Sequence, residues 1–300
     1  MRRTIAVVGL GNIGAAIAGC LQAAGRHDVV ACARRPIDRL VLDRDAGTEQ
    51  VSLRTLTDPS GAEPAEWVLL CCKAQDTPST APWLARLCTP DTYIAVLQNG
   101  IDHVARVTPY AGGATIVPTI VYYNGERLAP DHVRLRSVAR YDLMAPDGPA
   151  GRRFVALLDG TTLNVQLSGD FTTYAWRKLL LNVVVNPITA LTLQRQSVLR
   201  RPDVHALCLE VLAEAIAVGK ADGARVKEED AARIMETLFS YSGELGTSMY
   251  FDRLAGRHLE VEALTGAVVA AGERHHVPTP LNRAFLALLR AVSDAAAGGS

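Results

Sequence analysis

The chain has 300 residues, enough for two domains or one large one, and 49% of them are hydrophobic, so a proper core can form. Basic and acidic residues balance at 31 each, which argues against a nucleic-acid or membrane-surface partner, and no uninterrupted apolar run is long enough to span a bilayer. The six cysteines include the adjacent pair Cys71-Cys72 and no C-x-x-C spacing, so they read as reduced, buried thiols of a cytoplasmic protein, with no metal expected.

In chain order, Thr4 to Val8 is short, apolar and β-branched, the pattern of a buried parallel strand. Arg2-Arg3 ahead of it imitates a secretory signal, but Gly9, Asn12 and Gly14 interrupt the apolar stretch and the pattern runs on, so export is rejected. Gly9-Leu10-Gly11-Asn12-Ile13-Gly14 fits G-x-G-x-x-G and leads into an apolar helix from Ala15 to Ala24. Each glycine has a job: Gly9 makes the tight turn, Gly11 admits a pyrophosphate close to the backbone, and Gly14 lets helix and strand pack. The helix N-terminus then offers unpaired N–H groups to phosphates. A glycine-rich turn that binds nothing is the bland alternative.

A second strand, Asp28 to Ala33, ends in Arg34-Arg35-Pro36, where an NAD site would carry an acid for the ribose 2′-hydroxyl. Guanidinium groups there suit a 2′-phosphate, so NADP(H) is the expected dinucleotide, with Arg34 the better candidate. Further strands are expected at Trp67 to Cys72 and Tyr93 to Leu97, with a helix at Ala81 to Leu87 between them. Lys73 and Gln98-Asn99-Gly100 then follow the carboxyl ends of two strands, the edge where ligands bind in such sheets. A solvated lysine and simple turn chemistry are the competing readings. Thr115 to Tyr123 and His132 to Arg136 look like strands that close the sheet with an antiparallel edge.

Near Leu167-Ser168-Gly169-Asp170 the pattern turns helical: Tyr174 to Leu193, Val204 to Ala221, Glu228 to Phe239, Leu259 to His275 and Pro280 to Ala297, the last with Thr279 as N-cap. The expected fold class is therefore α/β, with a Rossmann-type doubly wound parallel sheet over residues 1–168 and an all-helical domain over 169–300. In the first long helix Lys178, Asn182 and Asn186 recur every four residues, with apolar residues between them and Pro187 next. A lysine and two asparagines in a helix buried nearly all round need partners, either within a bundle or from a ligand. Asp252 and Arg253 could pair or lie in solvent, and Glu262 suits a helix N-terminus.

Taken together, Gly9 to Gly14, Lys73, Asn99-Gly100, Lys178…Asn182…Asn186-Pro187 and Ser248-Met249 through His258-Leu259-Glu260 resemble the ketopantoate reductase family (2-dehydropantoate 2-reductase) over nearly the whole chain. The resemblance implies NADPH-dependent reduction of a 2-keto acid to a 2-hydroxy acid on the pantothenate route, in a cleft between a Rossmann domain and a helical domain. It makes Lys178 the proton donor to the carbonyl oxygen. Asn182, Asn186 and Ser248 become substrate ligands, and Asn99 touches both cofactor and substrate. Lys73, Arg34 and Glu260 fall on the cofactor side, Glu260 at the nicotinamide ribose. Burial beside a positive neighbour would bring the lysine toward operating pH.

The chain departs from the family's pattern twice. Gln196 stands where a turn asparagine is common, and Val117 to Tyr123 replaces a Gly- and Thr-rich stretch with a following histidine. Both leave open reduction of a different 2-oxo acid or related carbonyl. A non-catalytic NADP(H)-binding sensor is the alternative from another class, although cofactor binding alone needs none of Lys178, Asn182 and Asn186. A β-hydroxyacid dehydrogenase of the 6-phosphogluconate type lacks support in Tyr174 to Leu180. A helical domain often supplies a dimer face, so a homodimer is an option the sequence leaves open.

Overall fold

In the computed structural model, which describes residues 3–297, the first half of the chain alternates strand and helix. Its elements are β1 (Thr4–Val8), α1 (Asn12–Ala24), β2 (Asp28–Cys32), β3 (Arg39–Arg44), β4 (Gly47–Ser52), β5 (Arg54–Leu56), β6 (Trp67–Leu70), α2 (Ala81–Leu87) and β7 (Tyr93–Val96). After them come α3 (His103–Val107), β8 (Thr115–Pro118), β9 (Ile120–Val121), β10 (Asn124–Ala129), β11 (His132–Arg136), β12 (Leu143–Pro146), α4 (Pro149–Leu157) and β13 (Val165–Ser168). The main sheet has six strands in the order β5-β2-β1-β6-β7-β8, all paired in parallel. The reversal of order at β1 creates the switch point beside which dinucleotides bind in such sheets. Strands β1, β2, β6 and β7 are covered on both faces, which is why they read as continuous apolar runs.

Two expectations for this half need correcting. His132 to Arg136 does form a strand, but it does not edge the main sheet. It pairs in parallel with β3 and antiparallel with β10 in a separate sheet, β10-β11-β3-β4. This second sheet covers α1 from the side away from β1: Leu40, Leu42, Val133 and Leu135 share a core with Ala15, Ile17 and Leu21. Sandwiching between two sheets explains why α1 is buried from Gly14 to Leu21. The expected strand Thr115 to Tyr123 is likewise broken. Pro118, the last partner of Val96, has no N–H to continue the ladder, and after Thr119 the chain joins β12 as β9 in a third sheet.

By contact density the chain divides into two units, one containing residues 3–98 and 102–171, the other Asn99–Ile101 with the residues from Thr172 onward. The second unit is built from α5 (Phe171–Thr192), α6 (Pro202–Ala221), α7 (Glu229–Ser240), α8 (Ser248–Leu254), α9 (Ala267–Arg274) and α10 (Pro280–Ala297). Its core gathers Trp176, Leu180, Val183 and Val184 of α5 with Val211, Leu212, Val268 and Leu289. From Val183 to Ala190 every residue of α5 is buried. The expected continuous helix Leu259 to His275 is not continuous: Glu262–Gly266 forms a π-helical turn, in which the Gly266 N–H donates to Val261 O at 2.9 Å, before α9 begins. At α10 the orphan amides of Leu281 and Asn282 donate to the Glu214 carboxylate at 2.8 and 3.0 Å. No helix among the described residues is long and apolar enough to cross a membrane.

Candidate functional site

In the first unit, the turn after β1 has the geometry its glycines demand. Gly9 has φ +94°, a conformation that favours glycine, and its N–H donates to Cys32 O at 3.0 Å. A Cβ on Gly14 would stand 1.9 Å from Gly9 O, so helix and turn touch there. At Gly11 a Cβ would meet nothing within 4 Å, and Gly11 and Asn12 are exposed. The turn thus offers open space at the position where a pyrophosphate needs it, beside the first-turn N–H groups of α1. The described residues therefore fit a dinucleotide phosphate.

Lys73 and Arg34 belong to the same unit. Lys73 caps the 3-10 turn Ala74–Thr80 directly beyond β6, and its neighbour Cys72 backs onto Gly9, where an added Cβ would sit 2.8 Å from Cys72 N. Arg34 is exposed two residues beyond β2, at the carboxyl edge of the main sheet.

In the second unit, α5 carries Lys178, Asn182 and Asn186 along one side. Asn186 is buried; its Nδ2 donates to Asn182 Oδ1 at 3.3 Å, and its own Oδ1 is buried with no hydrogen-bond partner among the described residues. A buried amide oxygen left so costs free energy unless something binds it. Asn99 and Glu260 meet here as well: Asn99 Nδ2 donates to Glu260 Oε2 at 3.1 Å, and Glu260 is buried. Burial pulls the Lys178 ammonium from 10.5 down to about 8, outweighing the opposing pull of the Glu260 carboxylate. The neighbour expected to be positive is therefore an acid, and desolvation alone does the lowering.

Ser248 is exposed at the start of α8, and α8 is tied to α5 through Thr247 and Thr189, which the sequence did not single out, and through Arg253. Thr247 caps α8, accepting from the Tyr250 N–H at 3.1 Å. Its hydroxyl is bonded to that of Thr189 at 2.8 Å, and Thr189 in turn donates to Val185 O at 2.6 Å. Arg253 donates to the carbonyls of Ala190 and Leu191 at the end of α5. Thr189 lies about one turn beyond Asn186, so the Thr189–Thr247 bond ties the start of α8, where Ser248 stands, to the C-terminal half of α5.

Of the remaining candidates, Asp252 and Glu262 each hold an arginine. Asp252 is buried and pairs with Arg257 at 2.9 Å, not with Arg253. Glu262 is exposed and grips Arg290 through two bonds of 2.7 and 2.9 Å. Gln196 has its Oε1 buried without a partner among the described residues, and its backbone N–H donates to Leu245 O.

Residues 5–147 match the model of the family described as ketopantoate reductase PanE/ApbA, and residues 170–293 match that of its C-terminal part. A 2-dehydropantoate 2-reductase of Mycobacterium tuberculosis is 36% identical over 297 residues, 98% of this chain and 99% of the relative. One from Caulobacter vibrioides is 32% identical over 290 residues, 97% and 99% of the two chains. Among solved structures, a PanE/ApbA family ketopantoate reductase from Ralstonia eutropha superposes with a TM-score of 0.88 at 28% identity, covering 98% of this chain and 99% of that one. A dimeric ketopantoate reductase from Staphylococcus aureus gives 0.86 at 25%, with the same coverage.

Proposed function

The chain belongs to the ketopantoate reductase family and is an oxidoreductase, and from that premise we propose that it reduces 2-dehydropantoate to pantoate with NADPH, Lys178 supplying the proton. The observation that carries this reading is a polar face within an otherwise apolar helix: an ammonium brought down to about 8, followed four residues apart by Asn182 and Asn186. Within this reading, residues 1–168 serve the cofactor and 169–300 the substrate, with Asn99 grouped with the latter.

The cofactor supplies hydride to the keto carbon. As negative charge builds on the carbonyl oxygen, the Lys178 ammonium stabilises it and transfers its proton there. An ammonium at about 8 is mostly protonated at neutral pH yet gives up its proton far more readily than an exposed lysine. Glu260 opposes complete loss of that charge. The unpaired Asn186 Oδ1 accepts a hydrogen bond from a substrate hydroxyl, while Asn182 and Ser248 bind the carboxylate end. On the cofactor side, Gly9 to Gly14 receive the pyrophosphate and Arg34 the 2′-phosphate; Lys73 and Asn99 also serve the cofactor, and Glu260 the nicotinamide ribose. The protein acts in the cytoplasm as a homodimer, in line with the dimeric Staphylococcus aureus relative.

The test is to follow NADPH and NADH oxidation by purified protein across a panel of 2-keto acids, with its mass in solution measured in parallel. Turnover of 2-dehydropantoate above other 2-keto acids, with NADPH preferred, supports the reading. Preference for another 2-oxo acid overturns the substrate, equal use of NADH overturns Arg34, and tight NADPH binding without turnover leaves a sensor.

A further inference from the structure

One face of β10 and the residue before it meets the glycine turn in register. Tyr123, Gly125 and Arg127 alternate with the exposed Asn124, Glu126 and Leu128, so the three share the face turned toward α1. Tyr123 Oη donates to Ile13 O at 2.9 Å. A Cβ on Gly125 would stand 2.5 Å from Asn12 O, so the two backbones are in direct contact. Arg127 Nη2 donates to Leu10 O and, at 3.1 Å, to Gly11 O, while its Nη1 donates to Pro130 O at 2.8 Å. Four consecutive carbonyls of the turn, Leu10 to Ile13, are thus met in reverse order by every second residue of one strand. A bulge follows between Arg127 and Ala129, a device that aims a strand-end side chain.

In a trans peptide the N–H points opposite to the C=O. Carbonyls pinned against β10 therefore fix the direction of the turn's N–H groups, which are the groups that meet an anion. We propose that Arg127, supported by Tyr123, is a positioning residue that holds the glycine turn ready for the cofactor's pyrophosphate. This rests on the proposed dinucleotide site. Lysine could keep the charge at this position but could not span two carbonyls of the turn and Pro130 O with a planar fork.

The experiment titrates the wild type, Arg127→Ala, Arg127→Lys and Tyr123→Phe with NADPH and with adenosine 2′-phosphate, which lacks the pyrophosphate, and measures hydrogen exchange at the Ala15 amide of the cofactor-free protein. That amide is bonded to Gly11 O at 2.9 Å, so it reports the first turn of α1 directly. Loss of charge-assisted bonds predicts NADPH binding weaker by on the order of tenfold in both Arg127 variants. Adenosine 2′-phosphate binding stays the same, exchange at Ala15 is faster, and Tyr123→Phe shows a smaller effect in the same direction. Full affinity in Arg127→Lys, equal weakening toward both ligands, or unchanged exchange at Ala15 would overturn the brace. Failure of the wild type to bind NADPH at all would instead remove the dinucleotide site, while the exchange measurement still reads the brace without any cofactor.

Discussion

Gly11 and Gly14 lie three residues apart in one turn, and alanine at each should fail in a different way. At Gly11 the backbone has φ −68°, which any residue adopts, and an added Cβ meets no atom within 4 Å. Gly11→Ala should therefore leave stability unchanged or raise it by about 0.4–1 kcal/mol through the unfolded chain. The same methyl occupies the space through which a pyrophosphate approaches, so NADPH affinity should fall by at least about tenfold, roughly 1.4 kcal/mol. At Gly14 the added Cβ would lie 1.9 Å from Gly9 O and 2.9 Å from Cys71 Cβ, both within a packed interior. Relieving that overlap means separating α1 from the turn, at a cost of about 3 kcal/mol or more. Urea unfolding and fluorescence titration with NADPH measure both properties on both variants. Wild-type NADPH affinity in Gly11→Ala, or a stable Gly14→Ala, would refute the assignment of jobs to these glycines.

Other variants test the helical unit. Turnover should fall about tenfold per pH unit above the Lys178 value of about 8, because the donor is the protonated form and that form is lost as pH rises. Glu260→Gln keeps an oxygen for Asn99 but removes the charge that holds the Lys178 value up, so its alkaline limb should move to lower pH; a limb that stays or rises contradicts the coupling. Glu214→Ala strips the acceptor from Leu281 N–H and Asn282 N–H and one of the two acceptors of the fully buried Asn282 Nδ2, which keeps Val211 O, and should cost about 2–3 kcal/mol in urea unfolding. Thr189→Val removes one of the two partners of the Thr247 hydroxyl, the Tyr250 N–H remaining, and should raise KM for the keto acid about tenfold, with kcat less affected; an unchanged KM would show that this bond does not position Ser248.

The parallel sheet was legible because strands covered on both faces leave uninterrupted apolar runs, as in Thr4–Val8 and Trp67–Leu70. The second sheet was not, since the apolar run of β3 is only Leu40-Val41-Leu42, flanked by Arg39 and Asp43, and β4 buries only Val51. A pattern that short is lost among loop residues. The π turn was hidden by an apolar stretch compatible with a plain helix; the Gly266 to Val261 bond marks the extra residue. Lys178, Asn182 and Asn186 stood out as polar groups in an apolar helix. The hydrogen bond between Asn99 and Glu260, 161 residues apart, was not legible: the resemblance to a family named each residue but did not pair them. The Thr189–Thr247 bond, spanning 58 residues, left no pattern, because a threonine in an apolar segment looks like any small residue. The same holds for Tyr123, Gly125 and Arg127, whose register against the glycine turn is a tertiary fact.

The most direct test of the account is single-turnover reduction of 2-dehydropantoate by a Lys178→Ala variant saturated with NADPH, its cofactor affinity measured alongside. Loss of the proton donor predicts a rate lower by roughly 10²–10⁴-fold with NADPH binding preserved. A variant that keeps most of its rate would contradict the account, since the proton would then come from elsewhere.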